Sequence, residues 1–244
     1  FITCRLAPEL IDALGSRYEL DHSQSRDGPH RADELARRLA DCDGVLLFGD
    51  RLDAAMIQGA GRLRVVANIT VGFNNVDVDA CTARGILVTN APGVLDDTTA
   101  DMTWALLLDA ARRVSESDRW LRAGHWKGMT FDDRFGLDVH HATLGILGMG
   151  RIGRAVARRA AGFDMRILYH NRNRLDPAVE RSVGAEYVTL EALLAQSDFV
   201  SLHLPYTADN HHVIGAAELA KMKRSAILVN ASRGRSEEHT SELQ

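Results

Sequence analysis

The sequence is poor in cysteine, proline and aromatic residues, and it contains no long apolar run. Its 244 residues include three cysteines, five prolines and 6% aromatic residues. An odd number of cysteines without a C-x-x-C pair predicts a reducing, cytoplasmic environment and neither disulfides nor a zinc site. No stretch approaches the roughly 18–20 apolar residues of a membrane span and no signal peptide opens the chain, so we expect no membrane partner.

Lysine is also scarce, because only three of the 29 basic residues are lysine (Lys127, Lys221 and Lys223) and the others are arginine. The formal net charge is −4, which lacks the electrostatic footprint of a general nucleic-acid binder. The 45% of hydrophobic and 25% of charged residues are typical of a globular protein and exclude a disordered one. The length predicts one large domain or two of moderate size.

Short apolar runs alternate with helical patterns along the whole chain, which predicts an α/β protein with parallel sheets. In the first part we expect strands at residues 1–4, 18–21, 44–48, 63–69 and 86–89, and helices at 8–14, 31–40, 54–58 and 78–83. In the second part we expect one long helix at 98–122, capped by Thr98 or Asp97, then strands at 143–147, 166–170, 199–202 and 226–230. The helices between these strands are expected at 151–162, 190–195 and 216–222. A boundary near residues 92–97 separates the two domains.

A glycine-rich turn, G-x-G-x-x-G, joins the predicted strand 143–147 to the next helix. Its first glycine permits a tight turn, its second lets a pyrophosphate approach the backbone, and its third lets helix and strand pack closely. The helix start supplies N–H donors for the phosphates. We therefore predict a dinucleotide site made of Gly148, Gly150, Arg151, Ile152 and Gly153.

The end of the following strand predicts which dinucleotide is bound. NAD-binding turns place an acidic residue there, on the ribose 2′-hydroxyl. This chain instead has His-Asn-Arg-Asn-Arg at 170–174. Since guanidinium groups bind a phosphate and a carboxylate would repel it, we predict a preference for NADPH, with NADH possible. Arg172 would be the main contact and Arg174 the second, with Asn171 beside them.

Five further blocks give the chain a family likeness. They are ITVGFNNVD (69–77), GILVTNAPG (85–93), FGLDVHH (135–141), LHLPYT (202–207) and VNASRG (229–234). In this order they resemble the D-isomer-specific 2-hydroxyacid dehydrogenases, and the third block looks most like the bacterial glyoxylate/hydroxypyruvate reductases, also called 2-ketogluconate reductases. The resemblance implies two doubly wound domains, a flavodoxin-like substrate domain at 1–94 and an incomplete Rossmann cofactor domain at 95–234.

The resemblance also implies a reaction, the transfer of a hydride from NADPH to a small 2-keto acid. The backbone of Val71 and Gly72 would hold the substrate carboxylate, and Arg233 would bridge the carboxylate and the keto oxygen as the catalytic arginine. The cofactor would be flanked on one side by Leu204 and Pro205 and on the other by Ala231 and Ser232. Relatives pair through the cofactor domain, so a homodimer is expected. Which keto acid is used stays open among glyoxylate, hydroxypyruvate and 2-ketogluconate.

The family's proton donor is a histidine tuned by a glutamate, and both come after the arginine block. The last ten residues, 235–244, instead resemble a translated DNA sequencing adapter, so we expect a non-native tail after a truncated cofactor domain. Phe1 lies within a predicted strand, which predicts that a few residues are missing at the front. A polypeptide of this sequence is therefore expected to be inactive.

Two other functions are compatible with a glycine-rich turn. A non-catalytic NAD(H)-sensing module of the corepressor type shares the fold, and an intact glutamate and histidine would distinguish the enzyme from it. The second alternative is a methyltransferase, which the Val71–Gly72 and Arg233 blocks disfavour because a methyltransferase does not need them. The adjacent histidine pairs at 140–141 and 211–212 cannot both project from one helix face, so we predict no metal site.

Overall fold

The computed structural model describes residues 1–22, 29–128 and 134–237. The chain divides into two compact units, Phe1–Val94 and Leu95–Gln244. Within the described ranges, no helix is both long enough and apolar enough to cross a membrane.

The first unit alternates helices and strands around a small parallel sheet. Its elements are α1 (Pro8–Gly15), α2 (Ala32–Ala40), β1 (Gly44–Leu47), α3 (Ala54–Gly59), β2 (Val65–Asn68), α4 (Val78–Ala83) and β3 (Leu87–Thr89). The strands pair in the order β1-β2-β3, all parallel. Asp53 and Asp77 cap α3 and α4 by accepting the N–H groups of Met56 and Ala80, which explains why these short helices begin where they do.

The two expected strands at 1–4 and 18–21 are wrong as strands. In the first segment only Ile2 forms parallel bridges, one with Leu46 and one with His22. In the second segment no residue from 18 to 21 forms a bridge. The end of α1 explains why residues 18–21 do not form a strand, because the N–H groups of Arg17 and Tyr18 both donate to the carbonyl of Leu14. The backbone is therefore still in the turn that ends the helix at the position where a strand was expected to begin.

The second unit carries the larger sheet. Its elements are α5 (Asp96–Arg112), α6 (Val114–Arg122), β4 (Thr143–Leu147), α7 (Arg151–Ala160), β5 (Arg166–His170), α8 (Pro177–Val183), β6 (Ala185–Tyr187), α9 (Leu190–Gln196), β7 (Phe199–Leu202), α10 (Ala216–Leu219) and β8 (Ile227–Asn230). The strands pair in the order β6-β5-β4-β7-β8 and every pair is parallel. All four residues of β7 are buried, as expected for a strand covered on both faces.

The long helix expected at 98–122 is wrong in two respects. It is two helices, because Arg113 adopts a left-handed conformation with φ +55° between α5 and α6. The Asp109 carboxylate accepts both the N–H and the hydroxyl of Ser115, which favours the start of a new helix there. The cap is also different, since Leu95 precedes α5 and no side chain caps it, while Asp97 pairs with Arg159 of α7.

Helix α8 and strand β6 were not expected from the sequence, so the second sheet has five strands instead of four. A signal for them exists. Asp176 caps α8 by accepting the N–H of Ala178, Pro177 occupies the first helical position, and Gly184 ends the helix with φ +62°. An Asp-Pro start with a glycine seven residues later is a typical pair of helix boundaries.

Candidate functional site

The glycine-rich turn lies at the centre of the second sheet. It leaves β4, whose neighbours are β5 on one side and β7 on the other. The connection from β4 therefore turns one way to β5, whereas the chain later crosses to the opposite side to form β7 and β8. Open α/β sheets bind ligands outside the carboxyl ends of their strands at this kind of reversal.

Gly148 and Gly153 are required by close packing inside the protein. Gly148 has φ +103°, and a Cβ placed there would lie 2.7 Å from the carbonyl carbon and oxygen of His203. A Cβ at Gly153 would lie 2.3 Å from the carbonyl oxygen of Gly148. Both distances are far below a normal van der Waals contact, so these two glycines let α7 and the loop after β7 approach the turn.

Gly150 is different, because a Cβ at this position would meet no atom within 4 Å. Gly150 is exposed and precedes the first residue of α7. The first helical N–H to bond in this region is that of Arg154, to the carbonyl of Gly150. The N–H groups of Arg151, Ile152 and Gly153 therefore start the helix without helical acceptors. Among the described residues these N–H groups have no acceptor, and open space beside such donors at a positive helix end fits a pyrophosphate.

The loop after β5 is tied to the glycine-rich turn. The side-chain oxygen of Asn171 accepts the N–H of Met149 at 2.7 Å, and the hydroxyl of Tyr187 donates to the Asn171 carbonyl at 3.3 Å. Asn171 thus holds the turn and the loop in fixed relation, which places it next to the predicted cofactor site.

The two predicted phosphate-binding arginines differ in their surroundings. Arg172 is exposed and forms no ion pair within the described part of the chain. The Arg174 guanidinium instead donates from Nε and Nη2 to the two carboxylate oxygens of Glu180, at 2.8 and 2.9 Å. This pairing raises the pKa of Arg174 and, together with the Tyr169 hydroxyl, lowers the pKa of Glu180 to about 2.

The loops after β7 and β8 bring the remaining predicted cofactor residues to the same edge of the sheet. Leu204 packs against a buried cluster that includes Leu147, and Pro205 is exposed. After β8, the Asn230 side chain accepts the N–H and hydroxyl of Ser232 and donates to the Arg233 carbonyl. These bonds fold residues 231–233 into a turn in which Ala231 and Ser232 are half-buried, while the Arg233 side chain is exposed.

His203 is a half-buried member of this edge. Its Nε2 lies 2.8 Å from the Ser201 hydroxyl, and its Nδ1 has no hydrogen-bond partner in the described ranges. Burial lowers the pKa of His203 to about 4, so the imidazole is neutral near pH 7.

Val71 and Gly72 lie in the first unit, just after β2. Their carbonyls are bound by side chains, because Asn90 donates to the Val71 carbonyl at 2.8 Å, and Thr70 and Asn68 donate to the Gly72 carbonyl at 2.6 and 2.9 Å. Neither N–H group donates to an acceptor in the part of the chain that the structure describes. The loop therefore offers two adjacent backbone donors, which are suited to a carboxylate.

Sequence reasoning missed the side chains that shape these loops: Asn68, Asn230, Glu180 and His203. Asn230 carried a signal, since an asparagine two residues before a serine is typical of a turn closed by its own side chain. Asn68 and Glu180 carried none, because their partners depend on how the chain folds. Among the described residues, no group of three or more histidine, cysteine or acidic side chains is placed to hold a metal ion.

The chain matches known proteins over nearly its whole length. The sequence profile of the D-isomer specific 2-hydroxyacid dehydrogenase NAD-binding domain matches residues 104–241, reaching into the segment expected to be foreign. A glyoxylate reductase from Korarchaeum cryptofilum is 48% identical over 96% of this chain and 71% of its own length. A glyoxylate/hydroxypyruvate reductase B from Erwinia tasmaniensis is 51% identical over 79% of this chain and 60% of its own length.

A solved structure agrees with these matches. The crystal structure of a Thermus thermophilus protein superposes with a TM-score of 0.89 at 40% identity, covering 99% of this chain and 76% of the other. The expected α/β fold with parallel sheets and a Rossmann domain is confirmed, and so is the family resemblance. The chain belongs to the D-isomer specific 2-hydroxyacid dehydrogenases, a family of nicotinamide-dependent enzymes.

Proposed function

We propose that the protein transfers a hydride from NADPH to a small 2-keto acid such as glyoxylate, hydroxypyruvate or 2-ketogluconate. The surroundings of the glycine-rich turn support the cofactor part of this proposal. The open space at Gly150 lies beside the free N–H groups of α7, and the loop that follows β5 presents the exposed Arg172 where NAD-binding relatives of the fold have an acid. The names of the similar reductases support the substrate class.

The residues of the second unit fit the parts of a dinucleotide. The N–H groups of Arg151, Ile152 and Gly153 would hold the pyrophosphate, while Gly148 and Gly153 keep the turn close to the sheet. Leu204 and Pro205 would flank the cofactor on one side, with Ala231 and Ser232 on the other. When bound, the nicotinamide supplies the hydride. The choice of NADPH over NADH would fall to Arg172, with Arg174 as a second contact through its remaining Nη1.

Substrate orientation would fall to two other groups. The free N–H groups of Val71 and Gly72 would bind the carboxylate, and the exposed Arg233 would bind both carboxylate and keto oxygen. A guanidinium at the keto oxygen stabilises the negative charge that develops there as the hydride arrives.

We also propose that the second unit pairs with a second copy. Several large apolar side chains on α5, on α6 and in the segment after α6 are exposed, at the surface through which the resemblance implies dimerisation. They are Met102, Leu106, Leu121, Trp126 and Phe135.

Arg172→Ala tests the cofactor assignment. Loss of a charged hydrogen bond to the 2′-phosphate should raise the NADPH dissociation constant by about 10- to 100-fold, while the NADH value changes by less than about twofold. Both constants can be measured by fluorescence titration with the 244-residue chain.

Arg119→Ala is a matched control, because it removes an exposed positive charge from α6 and should leave both dissociation constants unchanged. If Arg172→Ala leaves the ratio of the two constants unchanged, the proposed preference for NADPH is wrong.

A further inference from the structure

The loop that carries Arg172 is fastened at both ends. At its start, Asn171 accepts the Met149 N–H with its side chain and the Tyr187 hydroxyl with its carbonyl. At its other end, Arg174 and Leu175 are bound by two side chains from β5 and α8. Only Arg172 and Asn173 lie between these fastened positions, and both are exposed.

Tyr169 is the first of the two side chains at the far end. It is fully buried on β5. Its hydroxyl accepts the N–H of Leu175 at 2.9 Å and donates to Glu180 Oε1 at 2.6 Å. A single hydroxyl therefore links the backbone of the loop to helix α8. Burial and the neighbouring carboxylate raise the pKa of Tyr169 to about 12, so this hydroxyl keeps its proton.

Glu180 is the second of these side chains. It is 8% exposed, although it is a glutamate on a short surface helix. Its carboxylate accepts three hydrogen bonds, one from Tyr169 and two from the Arg174 guanidinium. A buried carboxylate with this many charged and neutral donors is costly to separate from them. The pair Tyr169–Glu180 therefore fixes the loop more firmly than an exposed ion pair would.

We infer that Tyr169 and Glu180 are positioning residues for dinucleotide specificity, which hold the loop so that Arg172 meets the 2′-phosphate of NADPH. Neither residue needs to touch the cofactor. The loop is ordered before binding, so that less conformational entropy is lost when the phosphate arrives. Because NADH lacks the 2′-phosphate, its affinity should be nearly independent of this fastening. The inference rests on the proposed NADPH preference.

Tyr169→Phe and Glu180→Gln test the inference in the 244-residue chain. Tyr169→Phe changes no charge and removes only the hydroxyl, so we expect the NADPH dissociation constant to rise by about 3- to 10-fold. Glu180→Gln should raise it by at least as much. The NADH constant should change by less than about twofold in both variants. Fluorescence titration with each dinucleotide, next to Arg172→Ala, gives all the values.

Two matched controls are available. Glu186→Gln makes the same chemical change in an exposed ion pair with Arg166, at the opposite end of β5, and Tyr18→Phe removes an exposed hydroxyl in the first unit. Both should leave the ratio of the two constants unchanged.

The outcomes separate the inference from the proposed function. If Arg172→Ala removes the NADPH preference but Tyr169→Phe and Glu180→Gln keep it, the positioning role is wrong. Equal weakening of NADPH and NADH binding would also overturn it, since that result indicates a general structural role. If Arg172→Ala has no effect on the ratio, the proposed preference fails first and the inference fails with it.

Discussion

The two units offer free backbone N–H groups by opposite means. In the second unit, the donors at the start of α7 are accessible because Gly150 has no side chain and because Gly148 and Gly153 permit close packing. In the first unit, the side chains of Asn68, Thr70 and Asn90 bind the carbonyls of the loop, and the N–H groups of Val71 and Gly72 meet no acceptor among the described residues.

The site at the start of α7 thus depends on glycines, which have no side chain. The loop after β2 depends on side chains that bind its carbonyls. The glycine-rich turn is sensitive to any added atom. The loop after β2 tolerates the loss of one side-chain donor when another donor shares the same carbonyl, as at Gly72. Substitutions in the two sites should therefore differ in the size of their effects.

The largest effects are expected in the glycine-rich turn. Gly153→Ala places a Cβ 2.3 Å from the Gly148 carbonyl oxygen, so we expect a loss of about 1–3 kcal/mol of stability together with loss of NADPH binding. Gly150→Ala has room for its methyl group in the free protein. We expect its melting temperature to be unchanged and its NADPH affinity to fall by about 100-fold, because the methyl group fills the space of the pyrophosphate.

Calorimetry and fluorescence titration measure these two effects separately. Gly162→Ala, in the turn after α7, also meets no atom within 4 Å and serves as the control that should change neither quantity. Tight NADPH binding by Gly150→Ala would show that the cofactor does not approach this backbone.

A smaller effect concerns pH and distinguishes the two sites further. The folded-state pKa of His203 is about 4, below the ordinary value of 6.5, so the unfolded chain binds a proton first as the pH falls. The contribution of His203 to stability is therefore complete above pH 6.5 and is lost as the pH falls towards 4, by at most about 3 kcal/mol. In the described part of the chain, the side chains that hold the carbonyls of the first-unit loop are those of Asn68, Thr70 and Asn90, which do not titrate in this range.

We expect His203→Gln to flatten this slope of the unfolding free energy of the second unit between pH 6.5 and 4. Tryptophan fluorescence follows that unit, because Trp104, Trp120 and Trp126 all belong to it. His140→Gln, an exposed substitution in the same unit, should retain the slope. If the unfolding free energy of His203→Gln keeps the same dependence on pH, that dependence comes from another group.

The smallest effect is expected in the first-unit loop. Thr70→Val removes one of the two donors to the Gly72 carbonyl, and Asn68 still binds it, so we expect a local loss of about 1 kcal/mol. Amide hydrogen exchange of a peptide covering residues 69–75 should become correspondingly faster. Thr82→Val removes a comparable hydroxyl bond on α4 and should leave exchange in this peptide unchanged. Unchanged exchange in Thr70→Val would mean that Asn68 alone holds the carbonyl.

The sequence predicts features whose causes are local. The glycine-rich turn, strand β4 and the start of α7 are adjacent in the chain, so their order and the spacing of the glycines predict them together. Four elements of the second sheet were likewise expected because each is a short apolar run. The break at Arg113 was missed because it depends on Asp109 binding Ser115, a choice that periodicity does not contain.

Local sequence patterns do not predict the side-chain contacts between elements that lie apart in the chain. Arg174 was expected to be available for a phosphate, but its pairing with Glu180 depends on α8, a helix that was not expected from the sequence. Asn68 reaches the Gly72 carbonyl only because the chain turns back after β2. Side-chain pairs of this kind become predictable once the elements that carry them have been placed.

The order of strands in the second sheet has a consequence during translation. β4 occupies the centre of the sheet, yet both of its neighbours are synthesised after it. At roughly 5–20 residues per second, about 3 to 11 s separate the synthesis of Leu147 from that of Leu202, the end of β7. Helix α5 precedes β4, and its Trp104 and Leu107 belong to the same buried cluster as Leu144 and Ile146. We expect α5 to cover the nascent central strand until the ribosome delivers its partners.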